Sequence, residues 1–306
     1  MTEINSKHTN NSGKIDHAAI FADSLEKISS DLVANGSIEL SIGDDQQIRM
    51  ASQLLPIGLS VFVPSPPKQN LESNLVHIKA LHAAGFEPVP HIAARKIKSR
   101  EKLGEFLKLA VGEYGVHRVL LIGGDVRDAK GPYKDSAAVL RDRILSEQGI
   151  TEVAVAGYPE GHSRIPQETI LADLEEKLEL ADSQGLCGEI VTQFCFAPSR
   201  IIEYCAFLAG KLPDVPVYVG MVGPTSTARL IRFANYCGVS ASLRALSTLG
   251  VKVVNLLTHT DPSEQLAALS HYCATRPACN VIGAHVFSFG GFVESARWMR
   301  GKCRKK

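Results

Sequence analysis

The chain has 306 residues, of which 45% are hydrophobic and 21% are charged, and this composition excludes intrinsic disorder for most of its length. It suits one globular unit, or at most two, with a large apolar core. The 33 Lys and Arg residues against 32 Asp and Glu residues give a net charge of +1, so no overall field would hold a phosphate backbone, and we expect no nucleic-acid partner.

The N-terminal sequence and the cysteine pattern indicate a reducing compartment. No stretch approaches the roughly 18 consecutive apolar residues of a membrane span, and residues 1–14 have no apolar signal-peptide core. We therefore expect a cytoplasmic protein without a membrane partner. The seven cysteines are odd in number and form no Cys-x-x-Cys pair, so buried reduced thiols are favoured over disulfides or a metal site.

The first elements alternate between helix and strand. We expect residues 1–17 to be disordered or loosely ordered, and residues 18–306 to form one catalytic domain. A helix is predicted over 18–33 and a strand over 37–42. A second strand, 59–63, ends in a proline-rich turn and is followed by a helical pattern.

The remaining chain continues the same alternation. Six further strands are predicted at 88–93, 117–122, 152–156, 189–194, 215–219 and 281–287. Runs such as 119–122 are apolar at successive positions, as in parallel strands covered on both faces.

Eight strand-helix units without a composition break favour an α/β fold, a single-domain (β/α)8 TIM barrel, over an open sheet. The main alternative is a doubly wound sheet, but no Gly-x-Gly-x-x-Gly or P-loop motif follows a strand. The helical stretch over 240–274 exceeds one barrel unit and predicts extra helices.

Polar residues at predicted strand ends are the candidates for chemistry, because barrel active sites lie at the carboxyl ends of the strands. The candidates are Glu39, His91, Asp125, Gln193 and the segment 158–162.

Each candidate also has an ordinary structural explanation. Glu39 could equally be solvated on an edge strand, and a lone histidine such as His91 is more often a core residue than a ligand. Asp125 could cap a glycine turn, and Gln193 could bond only to backbone. Their recurrence at several strand ends favours a polar pocket with a buried carboxylic acid, but it names no substrate.

Several of these segments resemble the methylenetetrahydrofolate reductase family. VAGYPEGH at 155–162 is similar to the family's fifth-strand motif, and TQFCF at 192–196 is similar to its sixth-strand TQFFF. The segment 90–92 and Gly124-Asp125 resemble its third-strand Pro-His-Leu and its fourth-strand Gly-Asp. The resemblance spans about residues 37–298, in a short form with only the catalytic domain.

The resemblance implies a function and site residues. The expected reaction interconverts 5,10-methylenetetrahydrofolate and 5-methyltetrahydrofolate, with FAD as cofactor and NADH or NADPH as co-substrate. The implied catalytic residues are Glu39 as the acid, Asp125 as an electrostatic stabiliser and Gln193 as a pterin contact. The implied cofactor-binding residues are His91, Gly124, Asp125, Tyr158, His162 and Lys177.

Departures from the family pattern concentrate at the flavin and nicotinamide contacts. The arginine of an Arg-Gly-Asp motif becomes Gly123, and a second-strand threonine becomes Phe62. One of two paired basic residues becomes Glu176, the nicotinamide-stacking aromatic becomes Thr227, and the Phe-Phe-Pro-Pro after the glutamate becomes 40–43. FAD remains the expectation, while direct hydride transfer between nicotinamide and folate without flavin is the open variant.

Other functions stay open at this point. A folate-dependent methyltransferase component would use the same substrate without redox chemistry, although the chain shows no zinc-thiolate cluster. A folate-binding protein without activity is the third possibility. The resemblance also implies a homo-oligomer, whereas the physiological direction and the choice between NADH and NADPH cannot be read from the sequence.

Overall fold

The computed structural model describes residues 17–40, 45–66, 69–162, 164–225 and 261–303, with the side chains of 17–20 left out. Its eight strands pair in sequence order, all parallel, and the eighth pairs with the first to close a barrel. The strands are β1 Ser37–Glu39, β2 Ser60–Val63, β3 Glu87–Ala93, β4 Arg118–Ile122, β5 Glu152–Gly157, β6 Cys187–Thr192, β7 Val217–Val222 and β8 Val281–Phe287. The predicted (β/α)8 TIM barrel is confirmed.

Helices alternate with the strands and cover the barrel's outer surface. They are α1 His17–Ala34, α2 Asp45–Ser52, α3 Asn74–Ala83, α4 Arg100–Tyr114, α5 Ser136–Arg141, α6 Ile144–Glu147, α7 Gln167–Asp182, α8 Pro198–Lys211, α9 Ser263–Thr275 and α10 Phe292–Lys302. Helix α4 shows how local sequence sets the bounds. The Ser99 side chain caps its first turn by accepting from the Lys102 N–H at 3.3 Å, and Gly115 ends it in a left-handed conformation.

Two apolar clusters divide the core. The large outer cluster joins the helices to the outward-facing strand residues, among them Ile38 and Val61. A smaller cluster takes one residue from each of β2 to β7 and fills the barrel interior. Its members are Phe62, Val89, Leu120, Ala154, Val191 and Tyr218. Because side chains alternate along a strand, the next inward positions toward the carboxyl ends lie directly above this cluster.

Charged residues gather at the amino ends of β3 to β6. Arg118 Nε lies 2.7 Å from Glu152 Oε2, and its Nη1 lies 3.5 Å from Glu189 Oε1. His117 forms an ion pair with Glu87 when its imidazole is protonated. Burial raises the pKa of Glu189 to about 7. This end of a barrel is where residues support stability rather than chemistry, so we assign the cluster a structural role.

Several sequence predictions differ from the structure at element ends. The strand predicted over 189–194 ends at Thr192, so Gln193 follows β6 instead of lying within it. The strand predicted over 37–42 ends at Glu39. Residues 1–16 and 226–260, which include the predicted disordered start and much of the expected extra helices, lie outside the described residues.

The cysteines are less buried than predicted. Only Cys195 and Cys205 are buried among the six described, whereas Cys187 is exposed and the other three are intermediate. Cys237 lies outside the described residues. In the described ranges, no helix has both the length and the apolar character that crossing a membrane requires.

Candidate active site

Glu39 lies inside the barrel as the last residue of β1. Its neighbour Ile38 packs into the outer cluster, so alternation turns Glu39 inward, where its side chain keeps 14% exposure. In the sheet register Glu39 stands beside Phe62 on one side and Phe287 on the other. Burial raises its pKa from 4.5 to about 8, so the carboxyl group is protonated at neutral pH. A closed barrel has no edge strand, so the alternative of a solvated edge glutamate is wrong.

His91 is a polar neighbour of the Glu39 carboxyl group. Its Nε2 lies 3.6 Å from Oε2 of Glu39, and the imidazole is almost completely buried. Burial lowers the pKa of His91 to about 3, which leaves the ring uncharged. At neutral pH the contact therefore joins two neutral groups instead of forming a salt bridge.

A row of rings lines the barrel interior beside Glu39. The Phe62 ring packs edge-on against His91 at 6.0 Å and against His285 at 4.6 Å, and His285 contacts Phe287 at 4.6 Å. His285 is not among the residues predicted from the sequence, and its Nδ1 lies 2.8 Å from the Ser37 hydroxyl. The signal was available, because His285 and Phe287 are two residues apart on one strand and so share its inner face.

The row of aromatic rings continues to the rim of the barrel at the carboxyl end of β6. Phe289 stacks on Phe287 with 5.7 Å between ring centroids, and Phe194 contacts both rings edge-on. Gln193 therefore sits beside an apolar rim. Its own side-chain Oε1 accepts from the backbone N–H of Phe194 at 3.1 Å, a local bond of the kind expected for a purely structural glutamine.

Asp125 and Tyr158 follow β4 and β5 at the carboxyl ends of the strands, which form the mouth of the barrel. Asp125 is exposed in the loop after β4 and is close enough to Lys96 and Tyr158 to influence both electrostatically. Tyr158 follows β5, and its ring contacts His162 edge-on at 5.5 Å. The backbone N–H of Tyr158 donates to the hydroxyl of Tyr204 on α8 at 3.3 Å. The segment 158–162 therefore forms part of the rim, as predicted from its place after a strand.

Arg95, which is not among the predicted site residues, places a cation at the rim. The resemblance implies that a cation is lost here, because Gly123 replaces the arginine of the family's Arg-Gly-Asp motif. Nη1 and Nη2 of Arg95 lie 3.5 Å from the point that a Cβ on Gly123 would occupy. Nη2 donates to the Gly124 carbonyl, and Nε is buried without a hydrogen-bond partner in the described structure. Gly124 has φ +88°, a conformation that favours glycine. No spacing rule marks Arg95, since its position depends on the pairing of β3 with β4.

The basic residue of α7 is already paired. The side chain of Lys177 is only 6% exposed, and its Nζ lies 2.6 Å from Asp173 Oδ2 one turn earlier. Glu176 pairs with Arg141 of α5. The positive charge of Lys177 is thus compensated within the helix, and its predicted role in holding the cofactor stays a prediction.

Cys195 links two of the segments that carry the family resemblance, 155–162 and 192–196. Its Sγ lies 3.2 Å from Oε1 of Glu160 in the segment after β5. The Cys195 carbonyl accepts from Nε2 of Gln265 on α9 at 2.7 Å. The loops after β5 and β6 are therefore held together at the mouth. Thr227, the predicted nicotinamide contact, lies outside the described residues.

The fold and these groups define a class of protein: a parallel (β/α)8 barrel that holds a neutral carboxylic acid among aromatic rings at the carboxyl ends of its strands. A sequence model of the methylenetetrahydrofolate reductases matches residues 46–252. The chain belongs to the methylenetetrahydrofolate reductase family.

Individual relatives share limited sequence identity or coverage with this chain. The chain is 31% identical over 133 residues to methylenetetrahydrofolate reductase 2 of Saccharomyces cerevisiae, a match that covers 41% of this chain and 22% of the yeast protein. Among solved structures, a protein described as a lyase/mutase from Burkholderia cenocepacia J2315 gives a TM-score of 0.47 at 14% identity, covering 90% of this chain and 85% of that chain. The 3-dehydroquinate dehydratase of Aquifex aeolicus VF5 gives 0.40 at 12% identity, covering 65% and 84% respectively.

Proposed function

We propose that the protein interconverts 5,10-methylenetetrahydrofolate and 5-methyltetrahydrofolate, with NADH or NADPH as the hydride source. The observation that carries the proposal is the neutral Glu39 carboxyl group at the end of β1. The barrier of the reaction lies in opening the five-membered ring of the substrate. Protonation of the departing N10 generates a 5-iminium cation, which is the good hydride acceptor, so the site needs an acid that stays protonated near neutral pH.

Glu39 meets this requirement through its surroundings. Phe62 and Phe287 flank it in the sheet, and they keep water from solvating a carboxylate. The same environment would suit the flat pterin ring. Other enzymes keep a carboxylic acid protonated at neutral pH by burial in an apolar site, and Glu39 would act in the same way.

Asp125 and Gln193 have supporting roles in this proposal. An ionised Asp125 would stabilise the positive charge that develops on the iminium, while Gln193 would hydrogen-bond the pterin edge. Both follow strands at the same end of the barrel as Glu39. Gln193 would have to exchange its local bond to Phe194 for one to the substrate.

FAD is the cofactor we propose, and it would pass hydride between the nicotinamide and the folate. The residues at the β3–β5 side of the mouth fit an anionic or electron-rich group. The buried Nε of Arg95 has no hydrogen-bond partner in the described structure, and its guanidinium group lies against Gly123, which has no side chain. Tyr158 and His162 would complete this side of the site.

The flavin-free variant also has a supporting observation. The ammonium group of Lys177 is already neutralised by Asp173, which weakens the case for a bound pyrophosphate at α7. In this variant the nicotinamide would pass hydride directly to the folate. Glu39 would have the same role in both variants.

An absorption spectrum and one product analysis test the proposal. Purified protein should show the visible bands of a flavin and should form 5-methyltetrahydrofolate from NADH or NADPH and 5,10-methylenetetrahydrofolate. Colourless protein with this activity would replace FAD by the direct variant. Protein that neither forms 5-methyltetrahydrofolate nor oxidises it would contradict the function. A cytoplasmic location and a homo-oligomer also stay predictions, which cell fractionation and sedimentation velocity test.

A further inference from the structure

His91 and Glu39 form a contact that packing alone does not explain. Nε2 of His91 lies 3.6 Å from Oε2 of Glu39, somewhat beyond the usual hydrogen-bond range. Nε2 is buried and makes no hydrogen bond within the described structure. A buried polar atom without a partner is destabilising, typically by about 1–3 kcal/mol. A small rotation of either side chain would close the gap.

The groups around His91 leave it uncharged but able to exchange protons. Phe62 packs against one side of the ring, and Leu120 of β4 stands next to it in the sheet register. His285, the other ionisable group nearby, lies across Phe62, and burial lowers its pKa to about 3. Among these neighbours, Glu39 is the group that can become an anion. A neutral imidazole donates at one ring nitrogen and accepts at the other.

We propose that His91 is the proton-exchange partner of Glu39. After Glu39 gives its proton to N10 of the folate, its carboxylate takes the Nε2 proton of His91, while Nδ1 of His91 takes a proton from water. Exchange of the ring proton from Nδ1 back to Nε2 through water then restores the starting tautomer. The imidazole stays neutral throughout, and the net change is one proton taken up from solvent. In the oxidative direction every transfer is reversed. This inference rests on the proposed function, because it assumes that Glu39 is the acid.

One competing explanation is that His91 only fills space in the core, and another is that it only contacts the cofactor, as the family resemblance implies. Chemical rescue separates the proposal from both, because a small diffusible base can replace a missing proton carrier but cannot replace lost packing or a lost cofactor contact. In a His91→Ala variant, the vacated space lies beside Glu39 and could admit imidazole. If His91 has only a structural role, the loss of activity in the variant should not depend on which base is added.

The experiment measures 5-methyltetrahydrofolate formation by wild-type enzyme and by His91→Ala in a weakly buffering medium. We expect the variant to be slower by about 100 to 10,000-fold. Added imidazole should restore the rate in a saturable way, and methylated imidazoles should do so according to their pKa. His285→Ala is the matched control, because it removes a second buried imidazole that bonds to Ser37 instead of Glu39. Any loss of activity in this control should not be reversed by imidazole.

The outcomes separate this inference from the proposed function. An inactive wild-type enzyme would overturn both. An active wild-type enzyme with an unimpaired His91→Ala variant, or with a loss that imidazole does not restore, would overturn only the role of His91. If His91→Ala does not fold, His91→Gln retains the volume but cannot relay protons. It must then show the same loss and a larger solvent isotope effect, and a wild-type rate or isotope effect would overturn the inference.

Discussion

Glu39 of β1 stands directly beside Phe62 of β2 in the barrel, at a position where the family resemblance leads one to expect a threonine. Phe62 is 1% exposed and packs between two uncharged imidazoles. The substitution of threonine by phenylalanine therefore contributes an apolar wall to the proposed acid. It also removes a hydroxyl group from this side of the site.

Phe62→Thr should lower the pKa of Glu39. A hydroxyl group and admitted water would stabilise the carboxylate, so the present pKa of about 8 should move toward 4.5. Folate reduction needs the protonated acid, and its decline with rising pH should begin at lower pH in the variant. The pH dependence of kcat/KM measures this shift. Phe62→Leu is the control that stays apolar, and an equal shift in both variants would contradict the explanation.

Glu39→Gln should separate the two halves of the reaction. The amide cannot protonate N10, so folate reduction should be abolished. Oxidation of NADH or NADPH by an artificial electron acceptor needs no such acid and should continue largely intact. Stopped-flow assays of each half-reaction measure the difference. Equal loss of both activities would show that residue 39 has another role.

Asp125→Asn should slow the folate half-reaction by about 10 to 1,000-fold, the usual effect of removing one electrostatic contact to a developing charge. The substitution keeps the side-chain size while it removes the negative charge. Single-turnover kinetics with saturating folate measure this effect. An unchanged rate would remove Asp125 from the mechanism and leave it as a turn residue.

The stability difference between wild type and Glu39→Gln should depend on pH. The folded-state pKa of Glu39 is raised from 4.5 to about 8, so its stabilising contribution is complete below pH 4.5 and is lost as pH rises through 8. Between these values the variant should gain stability relative to wild type by at most about 1.4 kcal/mol per pH unit. Urea unfolding at pH 5, 7 and 9 tests the sign. A difference that is constant with pH would mean that the carboxyl group is not buried.

Arg95→Ala should weaken FAD binding by about 10 to 100-fold, which is the loss expected for one charge-assisted hydrogen bond. Flavin fluorescence titration of protein stripped of cofactor measures the affinity directly. Arg276→Ala removes an exposed arginine near the amino end of β8 and should bind FAD like wild type. If Arg95→Ala also binds like wild type, then Arg95 only anchors the loop through the Gly124 carbonyl.

Most of the barrel could be predicted because its strands carry continuous apolar runs between helical patterns. The bounds predicted for β8, 281–287, coincide with the structure. The predicted end of β6 is two residues too late, since Gln193 still donates its backbone N–H to the Gly157 carbonyl and Phe194 is buried beyond the last paired residue. An apolar pattern in the sequence indicates burial, and here burial continues beyond the strand into the loop.

The site was harder to predict than the fold. Alternation places Glu39 and His91 on the inner face of their strands, but β1 and β3 are not adjacent, so no sequence spacing gives their 3.6 Å contact. The burial of Lys177 did have a signal. It lies on the same helical face as Leu174 and Leu178, which turns it toward the barrel.

The hydrogen bond from Tyr158 to Tyr204 means that the rim is shaped partly from outside the barrel. A Cβ on Gly157 would lie 2.9 Å from Ile190 Cγ2 and 3.0 Å from the Tyr204 hydroxyl, so the chain can pass here only without a side chain. A substitution that displaces α8 would therefore move Tyr158, which we propose contacts the cofactor. Variants with altered affinity but intact chemistry should arise on this helix, far from any reacting atom.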